Sequence, residues 1–501
     1  MAKNFLRFNR ISYSYENSPI EILSDVSFHA ANGWTGIVGA NGAGKSTLLM
    51  LACGILSPNS GTVEHPQLSI YCSQRTDNPP AGYTDLFSDK TKEANRLISI
   101  LHLQESWMDR WNTLSHGERK KVQLAVALYQ QSQLLAIDEP TNHLDHETKL
   151  QITEALKSYN GIGLIVSHDR ELLDMLCYQC AFVESADLVI RPGGITASLE
   201  AQKQEYAANH KEFSNKQKTY KKLVGEYNRR DNLAKQAKKK SSKRNISKKD
   251  HDAKSKIDLG RLTGKDATAG RLKKQISSRM DVMKNEIDGI KLHREYQTGI
   301  DLPGEVSQRN SLLNIASGKL QLGKDIYLSY PSLTIFPTDR IGITGNNGSG
   351  KSSLINYILP RINVDKDNIT YIPQEIELEQ SNKIITKTRR LPNEQLGKLM
   401  IIISRLGSDA KRVLETDYPS PGETRKLLLG LGILKQPHII IMDEPTNHMD
   451  LISINCLEEA LSKTPGALVL VSHDITFLNS LTTTEWQISK TTGNEFILNI
   501  T

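Results

Sequence analysis

Gly39-Ala-Asn-Gly-Ala-Gly-Lys-Ser-Thr47 returns later in the chain as Gly345-Asn-Asn-Gly-Ser-Gly-Lys-Ser-Ser353, and the reading of those two stretches decides the architecture. In the first copy an apolar run, Thr35 to Val38, leads in as a strand, and a helix-like run, Leu48 to Ala52, leads out. Glycines at this spacing let successive backbone N–H groups turn inward around an anion. The helix that follows offers the positive end of its dipole to the same charge. Each loop is a phosphate cradle in which Lys45 and Lys351 are placed to reach the β- and γ-phosphates of a nucleotide. The cradle residues are Gly39, Asn41, Gly42, Gly44, Ser46 and Thr47 in one copy, and Gly345, Asn347, Gly348, Gly350, Ser352 and Ser353 in the other.

Two further segments keep step with the loops. Ile137-Asp-Glu-Pro-Thr-Asn-His-Leu-Asp145 recurs as Met442-Asp-Glu-Pro-Thr-Asn-His-Met-Asp450, and Val-Ser-His-Asp occurs at Val166 and Val471. The paired lysines are 306 positions apart, and the paired glutamates and histidines 305. Register kept to one residue across three motifs means a duplicated domain. Leu134 to Ile137 and Ile439 to Met442 read as buried strands that each end in an Asp-Glu pair, at the carboxyl edge where α/β sheets bind ligands. Asp138 and Asp443, with Ser46 and Ser352, would hold Mg²⁺, while Glu139 and Glu444 would orient and polarise the attacking water. A pair of adjacent carboxylates on a solvated turn is the plainer reading, but an apolar strand runs straight into each pair. His168 and His473, each 29 residues beyond its glutamate, are placed to sense or stabilise the γ-phosphate.

Composition bounds the rest. At 501 residues the chain is long enough for about three units. Its longest apolar runs, such as Leu399 to Ile403, fall short of the ~20 residues a membrane span needs, and MAKNFLRFNR shows neither an apolar core nor a cleavage site. A soluble, cytoplasmic protein is expected. The five cysteines are odd in number and scattered, which suits free thiols; Cys177-Tyr-Gln-Cys180 lacks the second ligand pair of a zinc site.

Net charge is +7, but residues 201 to 300 carry 27 Lys and Arg against 12 Asp and Glu, so this stretch is +15 and the remainder about −8. Tyr206, Phe213, Tyr220 and Tyr227 recur every seven residues, and Leu272, Ile276, Met280, Met283, Ile287 and Ile290 step by threes and fours. Two long antiparallel helices are expected, the first of about 35 to 40 residues and on the order of 50 to 60 Å. The aromatic stripe reads as a helix seam rather than a base-stacking surface. Three domains follow: 1–197, a basic linker 198–304 with its tip near 238–262, and 305–501. Between Lys238 and Lys249 the tip holds Lys238, Lys239, Lys240, Lys243, Arg244, Lys248 and Lys249 and no acid. Such a run can be a solvated loop; on a stiff arm it suits a polyphosphate backbone, whose counterions it would release.

With these motifs in place the chain resembles the ATP-binding-cassette proteins. Leu114-Ser-His-Gly-Glu118 looks like their signature motif, and Ser420-Pro-Gly-Glu423 holds the same place in the second half. Gln74 and Gln374 are similar to the family's Q-loop glutamines, which reach Mg²⁺, and Tyr15 to the aromatic that stacks on adenine. The resemblance implies an α/β fold of two P-loop domains facing head to tail. It pairs Lys45 with Ser420, Gly422 and Glu423 around one ATP, and Lys351 with Ser115, Gly117 and Glu118 around the other. His116 and Pro421 replace the usual glycine, Pro419 replaces the leucine, and Leu322 is nearest to the place of Tyr15, so equal hydrolysis at the two sites is in doubt.

Tandem cassettes joined by a charged helical hairpin resemble the ABC-F family of ribosome-associated ATPases. That resemblance implies a monomer that binds the ribosome when closed on ATP, with the hairpin directed toward the peptidyl-site tRNA, 23S rRNA and the peptidyl-transferase centre. The long linker with its extended basic tip, the SPGE signature, and the 41 positions between Gln74 and Ser115, which leave little room for an arm insertion, look most like the antibiotic-resistance branch. A housekeeping factor rescuing stalled ribosomes is the alternative within the family. A DNA-repair ATPase is the alternative outside it, although its coil normally interrupts one cassette.

Overall fold

The computed structural model describes residues 5–15, 21–142, 144–184, 186–240, 265–290, 305–408, 410–416, 419–447, 449–491 and 495–501. Leu134–Asp138 and Ile162–Val166 are buried at every position, as expected of strands covered on both faces in a parallel sheet. From edge to edge the first cassette's sheet runs Ser69–Cys72, Leu134–Asp138, Ile162–Val166, Gly33–Gly39, Cys177–Glu184 and Asp187–Pro192. Only the last pair is antiparallel. The second cassette repeats the order as Ile369–Ile372, Ile439–Asp443, Ala467–Val471, Arg340–Gly345, Thr484–Lys490 and Glu495–Ile500. There the sheet continues into Ile326–Tyr330 through Tyr327 opposite Glu495. The corresponding antiparallel strands of the first cassette, Leu6–Tyr13, Leu23–Ala30 and Ser60–Glu64, form a separate sheet.

Two cores flank each main sheet. In the first cassette Phe8, Phe28, Leu48 and Leu49 fill one side, where helix Lys45–Ala52 lies against the antiparallel sheet. Trp107, Trp111, Val122 and Leu156 fill the other, beneath helices His116–Tyr129 and His146–Lys157. Register places the functional ends together: Asp138 pairs with Val166 and Asp443 with Val471. Each Asp-Glu pair is thereby set beside the residue that begins its Val-Ser-His-Asp segment.

Contacts divide the chain into two units, Met1–Leu199 with Tyr296–Thr501, and Glu200–Glu295. Helix Ile195–Lys240 has 46 residues, longer than the sequence suggests and about 70 Å end to end; helix Lys265–Asp288 follows. Within the second unit Lys216 Nζ lies 3.2 Å from Glu286 Oε2, and Lys273 is bonded to Asp231 and sits 5.2 Å over the Tyr227 ring. As one partner's number rises the other's falls, so the helices run antiparallel. Tyr206, Phe213, Tyr220 and Tyr227 are all half-buried, as a seam requires, and Ile276 is buried, but Leu272 faces solvent. Lys238, Lys239 and Lys240 end the long helix with side chains outside the described residues, where Lys243, Arg244, Lys248 and Lys249 also lie. Among the described residues no helix is long and apolar enough to cross a membrane.

Candidate ATP sites between the cassettes

The phosphate loops begin where the strands Gly33–Gly39 and Arg340–Gly345 run out and helices Lys45–Ala52 and Lys351–Ile358 begin. Gly44 and Gly350 cap those helices at φ of 97° and 94°, backbone that L side chains rarely adopt. A Cβ on Gly44 would lie 2.3 Å from Ile22 Cγ2, and one on Gly350 2.6 Å from Leu322 Cδ1. Leu322 is thus the counterpart of Ile22 and not of Tyr15. Lys45 Nζ donates to the carbonyls of Gly39 and Ala40 at 2.9 and 3.0 Å; Lys351 Nζ does the same to Gly345 and Asn346 at 2.7 and 3.1 Å. Both ammonium groups are nearly buried, and burial pulls each below the ordinary lysine value. A triphosphate would supply the missing negative charge. Tyr15 lines the cavity with its ring T-shaped to Tyr13 and its hydroxyl 3.1 Å from Thr47 Oγ1, an aromatic at the rim where a purine would stack.

At the ends of the Asp-Glu strands the backbone itself is unusual. Glu139 and Glu444 sit at φ of 46° and 49°, left-handed for residues with a Cβ. Each carboxyl lies beside its histidine, 3.3 Å from His168 Nε2 in one cassette and 3.4 Å from His473 Nε2 in the other. Burial pushes Glu139 well above the carboxylate range and Glu444 up to about 7, while burial and the nearby lysine take His473 down to about 3 and His168 in the same direction. These are therefore not ion pairs. A neutral imidazole faces a carboxyl whose affinity for a proton suits a base at neutral pH. His473 Nε2 is also 3.1 Å from Lys351 Nζ and 3.0 Å from Asn347 Oδ1; it accepts from the lysine in one neutral tautomer and donates to the amide oxygen in the other.

The oxygen donors suit a hard divalent cation. Ser352 donates to Asp443 Oδ2 at 2.6 Å, and Asp443 Oδ1 is buried without a hydrogen-bond partner. In the first cassette Asp138 Oδ2 accepts from Tyr71 at 3.2 Å, and Ser46, Gln74 and Gln374 line the same cavity as Asp138. One carboxylate and one hydroxyl beside a phosphate chain is the usual protein share of a Mg²⁺ shell.

The signature motifs are helix starts. Ser115 and Ser420 cap His116–Tyr129 and Pro421–Ile433, each closing a capping box with Glu118 or Glu423. The serine N–H and hydroxyl both donate to the glutamate, at 2.7 and 2.8 Å for Ser115 and 2.9 and 3.0 Å for Ser420. In this arrangement the glutamates hold the serines in place. One cavity of about 610 Å³ takes in Gly42, Gly44, Lys45 and Glu139 from the first cassette together with Ser420 and Gly422 from the second, the head-to-tail pairing expected for Lys45. Lys351, Ser115 and Gly117 are not among its lining residues. Both phosphate loops nevertheless touch the opposite domain: Asn41 N donates to Asp450 Oδ2 at 3.0 Å, and the Asn347 backbone donates to Asp145.

Two features escaped the motif reading. Lys120 and Arg425, each five positions after its signature serine, reach the Asp-Glu strands: Lys120 donates to the carbonyls of Ser73 and Asp138, at 2.9 and 3.2 Å, and Arg425 to those of Glu444 and Asn447, at 3.1 and 2.9 Å. The equal offset was a usable signal. Arg170 crosses between the cassettes to Asn455 and to Glu458 Oε2, the latter at 2.9 Å. No local pattern marks that contact.

Comparison with known proteins agrees with this geometry. The family described as ABC transporter matches residues 23–142 and 328–447. The chain is 29% identical over 491 residues to the ribosome protection protein VmlR of Bacillus subtilis, covering 95% of this chain and 85% of that one. It is 28% identical over 502 residues to the probable ATP-binding protein YheS of Escherichia coli, covering 89% and 73%. It is likewise 28% identical over 482 residues to the ATP-binding protein Uup of Buchnera aphidicola, covering 90% and 75%. Among solved structures, the archaeal ribosome recycling factor aABCE1, in complex with the ribosomal stalk protein aP1, superposes with a TM-score of 0.63 at 17% identity, over 98% of this chain and 89% of that one. At that identity the likeness is one of fold.

Proposed function

We propose that this chain, an ATPase of the ABC-F family of tandem cassettes, binds the ribosome when closed on ATP and protects it from antibiotics by directing its basic hairpin toward the peptidyl-site tRNA and the peptidyl-transferase centre. The observation that carries the reading is the concentration of charge. Residues 201 to 300 hold a net +15 in a chain of +7, much of it on a pair of antiparallel helices. Cations in that number favour a phosphate backbone through counterion release. Likeness across 95% of the chain to a protein described as protecting the ribosome supports the choice of RNA partner.

The cassette residues supply the drive. ATP laid on the Lys45 loop presents its γ-phosphate to Ser420 and Gly422, so the nucleotide is itself the bond between the domains; Lys351, Ser115 and Gly117 would form the second such junction. Mg²⁺, held through Ser46 or Ser352, Asp138 or Asp443, and Gln74 or Gln374, would offset charge on the phosphate oxygens. Glu139 and Glu444 accept a hydrogen bond from a water whose oxygen attacks the γ-phosphorus in line with the departing β–γ bridging oxygen. His168 and His473, held neutral, donate to the γ-phosphate without adding charge. ADP and phosphate leave, the junctions open, and the hairpin withdraws.

Glu139→Gln with Glu444→Gln tests this directly. Amides retain the shape and lose the base, so the double variant should bind ATP, fail to turn it over and co-sediment with ribosomes. Failure to co-sediment in the presence of ATP would refute the ribosomal reading. Shortening the tip between Lys238 and Leu262 should abolish resistance and leave basal ATPase intact. Equal drug susceptibility of deletion, wild-type and tip-shortened strains would instead assign a housekeeping role in rescuing stalled ribosomes.

A further inference from the structure

The two cassettes are pseudo-symmetric in their ATP motifs but not where they face each other. His168 and His473 are each followed by an aspartate, Asp169 and Asp474, that caps the next helix by accepting from Leu172 N at 3.1 Å and from Phe477 N at 2.9 Å. Both aspartates line the shared cavity, and the Asp169 charge acts on Asp474. Burial makes the Asp474 charge costly. Two carboxylates lining one buried junction repel, and like charge across an interface opposes closure.

Lys149 answers both. It stands in the first turn of helix His146–Lys157, just beyond the Asp145 cap, with its Nζ 2.9 Å from Asp169 Oδ2 and its side chain 19% exposed. Its charge acts on Asp474, Glu444 and His473 of the opposite cassette. The position that repeats it in the second cassette is Ile454, which lines the same cavity and carries no charge. The bridge is therefore supplied from one side only.

We propose that Lys149 is a positioning residue that ties Asp169 and Asp474 across the interface, and so couples the γ-phosphate-sensing histidines of the two ATP sites. Closure at one site draws the lysine into place and neutralises the aspartate behind the other site's histidine. Because Ile454 cannot reciprocate, Lys149 supplies this bridge from one cassette only, beside Arg170, whose charge also acts on Asp474.

The test uses the full-length chain. Lys149→Met should lower kcat for ATP about tenfold, within the range of roughly 5- to 150-fold typical of coupling between sites, and bring the Hill coefficient for ATP to about one, with the melting temperature unchanged. Asp474→Asn removes the like charge yet keeps the helix cap, since asparagine caps as well as aspartate. The double variant Lys149→Met/Asp474→Asn should therefore recover most of the lost rate, and Lys149→Arg should retain cooperativity. Wild-type kcat and Hill coefficient in Lys149→Met would overturn the proposal. So would a loss that Asp474→Asn fails to relieve, or one that tracks a fall in melting temperature, because a purely structural lysine would behave in those ways.

Discussion

Replacing Arg170 with methionine keeps the apolar stem and removes the guanidinium that crosses to Asn455 and Glu458. The side chains of Arg170 and Glu458 are 12% and 23% exposed, so solvent screens the pair only in part. A charge-assisted hydrogen bond in such a setting is worth about 1.5–3 kcal/mol. A double-mutant cycle of Arg170→Met with Glu458→Gln isolates that coupling from the packing of each residue. The readout is the ATP concentration that half-protects the Glu139→Gln/Glu444→Gln background from proteolysis. Each single variant should raise it by about 10- to 150-fold, the same energy expressed as an equilibrium, and the two changes together should raise it little further. A coupling below about 0.5 kcal/mol is within ordinary non-additivity. That result would show that the contact rides on closure and does not drive it.

Three other outcomes follow from the geometry. Gly44→Ala places a methyl against Ile22 at a left-handed φ and should cost about 1–3 kcal/mol, seen as weakened ATP binding at the first site; Ile22→Ala should return only the part due to the clash. Tyr15→Ala removes a stacking face worth about 0.5–1.5 kcal/mol, so the KM for ATP should rise up to about tenfold in the Glu444→Gln background and stay unchanged in the Glu139→Gln background. Lys120 is fully buried, and burial takes it down to about 8 from the ordinary 10.5. Between those values the unfolded chain keeps a proton that the folded chain has released, so stability rises with pH there, by on the order of 3 kcal/mol in all. Lys120→Met should flatten that rise in pH-dependent denaturant melts, and an unchanged slope would refute the assignment.

The grouping of residues at the candidate ATP sites was legible because each motif joins a backbone demand to a chemical one. A glycine-rich turn between a strand and a helix, or an Asp-Glu pair closing an apolar strand, has few other uses, and duplication removed the remainder. The long helix was underestimated because its first turn, with buried Ile195, packs into the core of the first cassette, and its other end at Lys240 is basic and adds no seam residue. Leu272 follows the apolar rhythm but faces solvent, since periodicity names a face without saying how far the partner helix reaches. The fused sheet of the second cassette was invisible as well. Its Tyr327–Glu495 pairing depends on where a terminal strand comes to rest, which no local pattern encodes. Arg170 and Glu458 lie 288 positions apart, so only a folded interface could introduce them.

The left-handed backbone at Glu139 and Glu444 sets conformational preference against catalytic need. Glycine or asparagine would sit more comfortably at either position, and neither could serve as the base. Stability and turnover therefore select opposite residues at the same two places. In a descendant that kept binding ATP but no longer needed to release it, those glutamates would be the first motif residues to drift, and their loss would make the chain sturdier.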